Sequence, residues 1–327
     1  DILDPSQNYQ YTDNYIEEPF DLSKVMFVLT ANDIKTIPAA LKDRLEIIEI
    51  SSYTETEKID ISKNYLIPQI IEEYNTNKIK VSDEALLHII TSYTKEPGVR
   101  ELDRVLRKIY RNLIINEVKA KSLETNMIQS ILGPVKYENN FIRKNHIGSV
   151  STMGVTPYGG VVINIESTLT SGDGKMNITG NVEDSIKESI NIGLHFVKSK
   201  LKEYGIDSKK LSNNDININA LNYNVKKDGT SGGLAFTTSI ISLLLGKEVS
   251  NTTTFTGEIT LHGDILRVGG IKEKIIGAYN NGYKKIFIPL ENKNDLEKVP
   301  ENIKNTLDII LVSDYKEVFE ELFKKHK

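Results

Sequence analysis

The sequence contains no cysteine. That removes disulfides, zinc–thiolate sites and cysteine nucleophiles together. Charge of one sign is also scarce: 41 basic against 45 acidic side chains leave −4, which gives no electrostatic footprint for nucleic acid. Long apolar runs are missing, and the longest, around Ile240–Leu245, is far too short to span a bilayer. The opening residues, Asp1-Ile2-Leu3-Asp4-Pro5, have neither the basic start nor the apolar core of a signal peptide. They read like the middle of a domain, so the chain is expected to be a fragment. The five histidines are scattered without metal-ligand spacing, and no metal site is expected.

What is present is an ordinary globular composition over 327 residues, enough for two or three domains. Val25–Leu29 is a continuous apolar run of the kind found in covered parallel strands, and Glu46–Ile50 alternates like a second strand. A short helix beginning near Ile37 and carrying Asp43 and Arg44 lies between them. From about Tyr53 to Ile131 the pattern is helical. Thr54-Glu55-Thr56-Glu57 opens one helix, and Pro68 interrupts its period. Ser82-Asp83-Glu84 opens a second helix, and Gly98-Val99-Arg100 a third. Residues 133–147 are polar and aperiodic, a linker.

Beyond the linker, strands and helices interleave, which predicts an α/β or α+β domain. Val161–Ile165 and Met176–Ile178 flank Ser171-Gly172-Asp173-Gly174, the pattern of a hairpin. An amphipathic helix is expected over Glu183–Tyr204, a strand over Asp215–Leu221 and a helix from Gly232 to Leu245. A strand over Thr256–Leu261, a helix from Ile271 to Asn281, strands at Lys285–Pro289 and Leu307–Val312, and a last helix from Asp314 complete the reading.

Two short stretches carry the chemistry. One is Lys227-Asp228-Gly229-Thr230-Ser231-Gly232-Gly233, a serine among glycines at the mouth of an apolar helix. The other is Gly269-Gly270-Ile271-Lys272-Glu273-Lys274, with a lysine in the first turn of a later helix. A serine hydroxyl is a weak nucleophile until a base takes its proton, and a desolvated neutral lysine can do so. Glycine permits close approach of a substrate backbone, and the unpaired N–H groups of a helix start suit an oxyanion. A serine in this place is also a favoured helix cap. Lys272 and Lys274 stand two apart and so point in different directions, which lets one turn inward while the other stays in solvent. Thr256, before Gly257-Glu258, offers a hydroxyl that could orient a neutral lysine, and it also suits an ordinary strand.

These residues resemble the proteolytic domain of the Lon family of ATP-dependent AAA+ proteases. The family's serine motif, Pro-Lys-Asp-Gly-Pro-Ser-Ala-Gly, is read here as Lys226-Lys227-Asp228-Gly229-Thr230-Ser231-Gly232-Gly233. Thr256-Gly257-Glu258-Ile259-Thr260-Leu261 is similar to its threonine motif, and Gly269–Lys274 to its lysine motif. The resemblance implies Ser231 as nucleophile, Lys274 as general base, Thr256 as the lysine's hydroxyl partner, and Asp228 and Gly232 in support. Further upstream, Thr30-Ala31-Asn32 is similar to sensor 1, Asp43-Arg44 to the arginine-finger segment and Gly98-Val99-Arg100 to sensor 2. Asn32, Arg44 and Arg100 are therefore implied as nucleotide-sensing residues.

The implied organisation is residues 1–51 as the end of an AAA+ large α/β subdomain, 52–132 as its helical small subdomain, 133–147 as linker and 148–327 as an α+β Ser-Lys proteolytic domain. The implied activity is ATP-dependent endopeptidase action on unfolded or damaged polypeptides in a homohexamer. ATP and Mg2+ would serve the intact protein, and the peptidase step itself would need neither. The implied location is cytoplasmic, or alternatively the mitochondrial matrix. No stretch matches Gly-x-x-x-x-Gly-Lys-Ser/Thr, so ATP hydrolysis is not expected of this chain alone. Both motif prolines are replaced, by Lys226 and Thr230, and Gly232 stands at the alanine position. A looser serine loop is expected. The competing reading is a non-catalytic assembly or remodelling module.

Overall fold

The computed structural model describes the chain except residues 1, 5, 16, 32, 33, 49, 51, 77, 78, 119–121, 138–143, 157, 158, 222–228 and 325–327. It divides into two compact units, Asp1–Ser51 and Ser52–Lys327.

The first unit is sparse. β1 (Tyr11–Thr12) and β2 (Pro19–Phe20) form a two-residue antiparallel ladder, and α1 (Ala39–Lys42) is a single turn. The strands expected at Val25–Leu29 and Glu46–Ile50 do not form. No described segment hydrogen-bonds alongside either of them, and Met26, Val28, Ile48 and Ile50 are all at least 79% exposed. An apolar run becomes a strand only when neighbouring backbone satisfies its N–H and C=O groups and a second layer covers it. Arg44 forms an ion pair with Asp4 at 3.0 Å.

The second unit begins with a helical body. Its elements are α2 (Glu55–Ile61), α3 (Ile67–Tyr74), β3 (Lys80–Val81), α4 (Asp83–Tyr93), α5 (Arg100–Ile115), β4 (Ser122–Leu123) and α6 (Thr125–Leu132). Leu86, Ile89, Leu102, Leu106 and Ile109 are fully covered and form its core, as their helical spacing requires. Between α2 and α3 the chain takes one wider, π-type turn over Ser62–Leu66. This places Pro68 in the first turn of α3, and the helical path continues from Glu55 to Tyr74 through the wider turn in place of the expected interruption.

Thr54 and Glu57 close a capping box at α2. The Thr54 hydroxyl accepts from the Glu57 N–H at 3.2 Å, and the Glu57 carboxylate accepts from the Thr54 N–H at 2.7 Å. Thr54→Ala is expected to lower the opening free energy of this helix by ~1 kcal/mol. Amide hydrogen exchange across 55–61 should read that as roughly fivefold faster exchange; unchanged exchange would contradict it.

The rest of the unit is a three-layer α/β body. In chain order its elements are β5 (Ser149–Thr156), β6 (Gly159–Ser171), β7 (Met176–Thr179), α7 (Asp184–Lys200), α8 (Lys209–Ser212), β8 (Asn214–Ala220), α9 (Gly233–Leu245), β9 (Thr253–Phe255), β10 (Glu258–Ile259), β11 (Ile265–Leu266), α10 (Ile271–Asn280), β12 (Lys285–Pro289), α11 (Glu301–Lys304), β13 (Asp308–Val312) and α12 (Tyr315–Phe323). Seven strands form one mixed sheet in the order β13-β12-β9-β5-β6-β8-β7, and β10 and β11 pair apart from it.

Successive strand residues face opposite sides. Phe287 joins the core under α7, α9 and α12, which is built around Ile190, Phe196, Leu234, Ile240 and Phe255. Its neighbours Ile286 and Ile288 join the core under α10, with Met153, Ile271 and Ile275.

Two expectations change. The hairpin is β5–β6, antiparallel from Ser149↔Glu166 to Thr156↔Gly159, while β7 pairs in parallel with β8 and not with β6. The turn at Gly172–Gly174 folds over the start of β8 instead of reversing the chain tightly. Asp215 accepts hydrogen bonds from the Asp173 and Lys175 N–H groups at 3.0 and 2.8 Å, and β8 fills the place between β6 and β7. The strand expected at Thr256–Leu261 is likewise divided. Thr256 and Gly257 lie between β9 and β10, outside both.

Candidate active site

The serine and lysine motifs belong to opposite faces of the sheet and meet at the end of β9. On one face, Thr230–Gly232 makes a single tight turn leading into α9. Gly229, at φ 99°, allows the chain to enter it. α9 is apolar all round and buried over almost its whole length, because it runs through the core between the sheet and α7. The residue capping α9 is Gly232, with no side-chain hydrogen bond, so the Ser231 hydroxyl is not a helix cap.

On the other face, α10 begins after Gly270, whose φ of 68° turns the chain into the helix. It packs directly on β6. A Cβ at Gly160 would lie 1.8 Å from the Glu273 carbonyl oxygen, and one at Gly277 would lie 2.6 Å from the Gly160 backbone. This glycine contact brings the first turn of α10 down onto the sheet. It buries Lys274 to 3% exposure, whereas Lys272 stays partly exposed.

Lys274 Nζ donates to Thr256 Oγ1 at 3.0 Å, and Thr256 Oγ1 donates to the Ser231 carbonyl at 3.2 Å. The Gly257 N–H donates to the same carbonyl at 2.8 Å, and the Leu234 N–H donates to the Gly257 carbonyl at 3.0 Å. Burial lowers the Lys274 pKa to about 8, and among the described residues no carboxylate pairs with its ammonium. Among the described residues Ser231 Oγ makes no hydrogen bond, so the connection from Lys274 reaches the peptide group of Ser231 and stops short of its hydroxyl.

Ser231, Gly232, Thr256 and Lys274 are thus brought together. Asp228 and Asn32 lie outside the described residues. Arg44 belongs to the first unit, paired with Asp4, and Arg100 opens α5 as an exposed side chain of the second. Sequence reasoning missed Ser185, Ser189 and Glu258, which also hold the serine turn. Ser185 and Ser189 stand four apart on α7, a helical spacing that places both on one face, and that polar pair beside the apolar stripe was the available signal.

Behind α10, a polar cavity of about 150 Å3 lies between the helical body and the β5–β6 hairpin, lined by Glu55, Lys58, Glu96, Gly160, Glu273 and Asn280 among others. Burial raises the Glu55 carboxyl to about 7, with Lys58 nearby opposing the shift.

Residues 122–325 match the family model for the Lon protease (S16) C-terminal proteolytic domain. The chain belongs to the Lon protease family. Residues 72–126 match the Lon protease AAA+ ATPase lid domain, which coincides with much of the helical body. Similar curated proteins, each named Lon protease, come from Mycoplasma genitalium (41% identical over 99% of this chain and 42% of the relative), Malacoplasma penetrans (42%, with coverage of 99% and 42%) and Ureaplasma parvum serovar 3 (43%, with coverage of 99% and 43%). The chain therefore spans about two fifths of the length of the curated relatives it matches. Among the described residues no helix is long and apolar enough to cross a membrane, and no cluster of side chains could hold a metal ion.

Proposed function

We propose that this chain carries the peptide-cleaving part of an ATP-dependent Lon-type endopeptidase, with Ser231 as nucleophile and Lys274 as general base. The observation that carries the reading is the buried Lys274 ammonium, with its pKa near 8, linked through Thr256 to the peptide group of Ser231. Ser231 Oγ attacks the carbonyl carbon of a bound peptide bond while neutral Lys274 takes its proton. The Gly232 N–H at the start of α9 is assigned to the oxyanion that forms, since the next two, of Gly233 and Leu234, donate to the Thr230 and Gly257 carbonyls. The tetrahedral species collapses, Lys274 returns the proton to the leaving amine, and water then hydrolyses the acyl-serine with Lys274 again as base. Thr256 keeps the lysine aimed, and Asp228 is assigned a supporting role in the approach to the serine.

Residues 1–51 and 52–132 are read as the end of an AAA+ large subdomain and its small subdomain, 133–147 as linker and 148–327 as the proteolytic domain. Asn32, Arg44 and Arg100 are assigned to nucleotide sensing. Arginine suits that work because its planar fork grips phosphate oxygens. These 327 residues do not by themselves fit ATP: the phosphate-cradling pattern is absent from the sequence, and Arg44 is engaged by Asp4. No step of peptide hydrolysis is routed through nucleotide. ATP and Mg2+ would drive substrate delivery in a hexameric whole protein acting on unfolded polypeptides. The three relatives named above are bacterial, which favours a cytoplasmic setting over the mitochondrial matrix.

One observation favours the non-catalytic alternative, namely that Ser231 Oγ and Lys274 Nζ are not directly bonded. Catalytic hydrogen bonds often tighten only around substrate, which is why the peptidase reading is preferred. The test is cleavage of a short fluorogenic peptide by this chain without nucleotide, since a small peptide needs no unfolding. Cleavage that disappears in Ser231→Ala supports the reading. Absence of both cleavage and labelling by a serine-directed boronate supports the alternative.

A further inference from the structure

We infer that Thr230 and Glu258 form a positioning clamp that holds the serine turn in register with Lys274; this rests on the reading of Ser231 as nucleophile. The turn has little stiffness of its own. Gly229 precedes it, Gly232 and Gly233 follow the serine, and Thr230, unlike a proline, does not fix its own φ. Its own backbone supplies one bond, from the Gly233 N–H to the Thr230 carbonyl, and the rest of its hold comes from tertiary bonds.

The shortest of these runs from Thr230 Oγ1 to Glu258 Oε2 at 2.6 Å in a partly buried setting. A hydroxyl donating to a carboxylate at that distance is a charge-assisted bond, stronger than one between neutral groups. Two longer, neutral bonds support it from α7. Ser189 Oγ donates to the Thr230 carbonyl at 3.3 Å, and the Gly229 N–H donates to Ser185 Oγ at 3.2 Å.

The position of Glu258 gives the bond its consequence. Thr256, Gly257 and Glu258 are consecutive, and each grips part of the site. Thr256 receives Lys274 Nζ and donates to the Ser231 carbonyl, the Gly257 N–H donates to that same carbonyl, and Glu258 accepts from the residue before the serine. One three-residue segment therefore indexes the nucleophile against its base from both sides of the Ser231 peptide group. Without the Glu258 bond, Ser231 keeps its carbonyl anchors but can rotate about Thr230. Misplacing a reacting group by about 1 Å can cost on the order of a hundredfold in rate.

The clamp predicts a loss in turnover with substrate binding largely kept. In Thr230→Val, which exchanges the hydroxyl for a methyl at similar size, kcat on a short peptide is expected to fall about ten- to a hundredfold with KM changed less than about threefold. Thr230→Ser, which keeps the hydroxyl, should restore most of the rate. Glu258→Leu should match Thr230→Val, and the double variant should be no slower than either single one, because both remove the same bond. Amide exchange over 229–233 should quicken in Thr230→Val and return in Thr230→Ser.

Equal kcat in wild type and Thr230→Val, or single effects that multiply in the double variant, would overturn the clamp. If wild type neither cleaves peptide nor takes up a serine-directed probe, the nucleophile reading fails. The exchange comparison still decides the clamp in that case: faster exchange in Thr230→Val supports it and unchanged exchange overturns it.

Discussion

Ser231→Ala and Lys274→Ala should each lower kcat for a short peptide by about a thousandfold or more, and the double variant should be hardly worse than either single one. Nucleophile and base act as a unit, so removing the second after the first has little left to remove. Lys274→Arg should not rescue the rate. Arginine stays protonated, cannot accept the serine proton and does not fit the space of a 97% buried lysine. Initial rates across the four variants, with circular dichroism to show that each is folded, make the comparison. A Lys274→Ala variant within tenfold of wild type would assign the base elsewhere.

The second large effect is on stability and runs the opposite way. Burial holds Lys274 at a pKa of about 8, against 10.5 for a lysine in water. At ~1.4 kcal/mol per unit, that difference is on the order of 3 kcal/mol withheld from folding where the lysine is protonated in both the folded and the unfolded state. The unfolded state binds the proton more tightly, so the penalty is complete below about pH 8, shrinks as pH rises from there, and is gone above about 10.5. Lys274→Met keeps the length and removes the charge, and Thr256 retains its bond to the Ser231 carbonyl. The variant should therefore be more stable than wild type by ~2–3 kcal/mol at pH 7, with the gap closing towards pH 10.5. Thermal or denaturant unfolding of both proteins at pH 7 and pH 10 measures it. A variant less stable than wild type at pH 7 would mean that the lysine is not held desolvated. The residue is thus costly to the fold, as expected where a site is shaped for chemistry.

Much of this was legible in the sequence for identifiable reasons. α7, α10 and α12 follow from local periodicity, because a helix needs only one apolar stripe to declare itself, and α9 from an apolar segment too long for a typical strand. The inward turn of one lysine and not its neighbour follows from helical geometry, and Lys274 is the buried one.

What was not legible depends on distant partners. The apolar run Val25–Leu29 looks like a strand, but a strand exists only with a neighbour to pair with, and none of the described residues supplies one. β7 pairs with β8 and not with β6, and the turn before it is held by Asp215, some forty residues beyond Gly172. The wider turn ahead of Pro68 and the placement of Thr256 outside any strand are equally matters of tertiary fit. At the candidate site, the resemblance of the serine, threonine and lysine motifs to those of the Lon family pointed to Ser231, Lys274 and Thr256. The side chains that fix the serine turn, Ser185, Ser189 and Glu258, come from two other elements; the four-residue spacing of the two serines was the only local sign, and nothing in it says that they meet the serine turn.

The most direct test of the Ser231–Lys274 assignment is the rate of covalent labelling by a serine-directed fluorophosphonate from pH 6 to pH 10, with the adduct located by mass spectrometry. The account predicts one adduct, on Ser231. Its rate should rise through a single ionisation near pH 8, as Lys274 loses its proton, and should collapse in Lys274→Met. Labelling that is flat across that range, that falls on another residue, or that survives in Lys274→Met would contradict it.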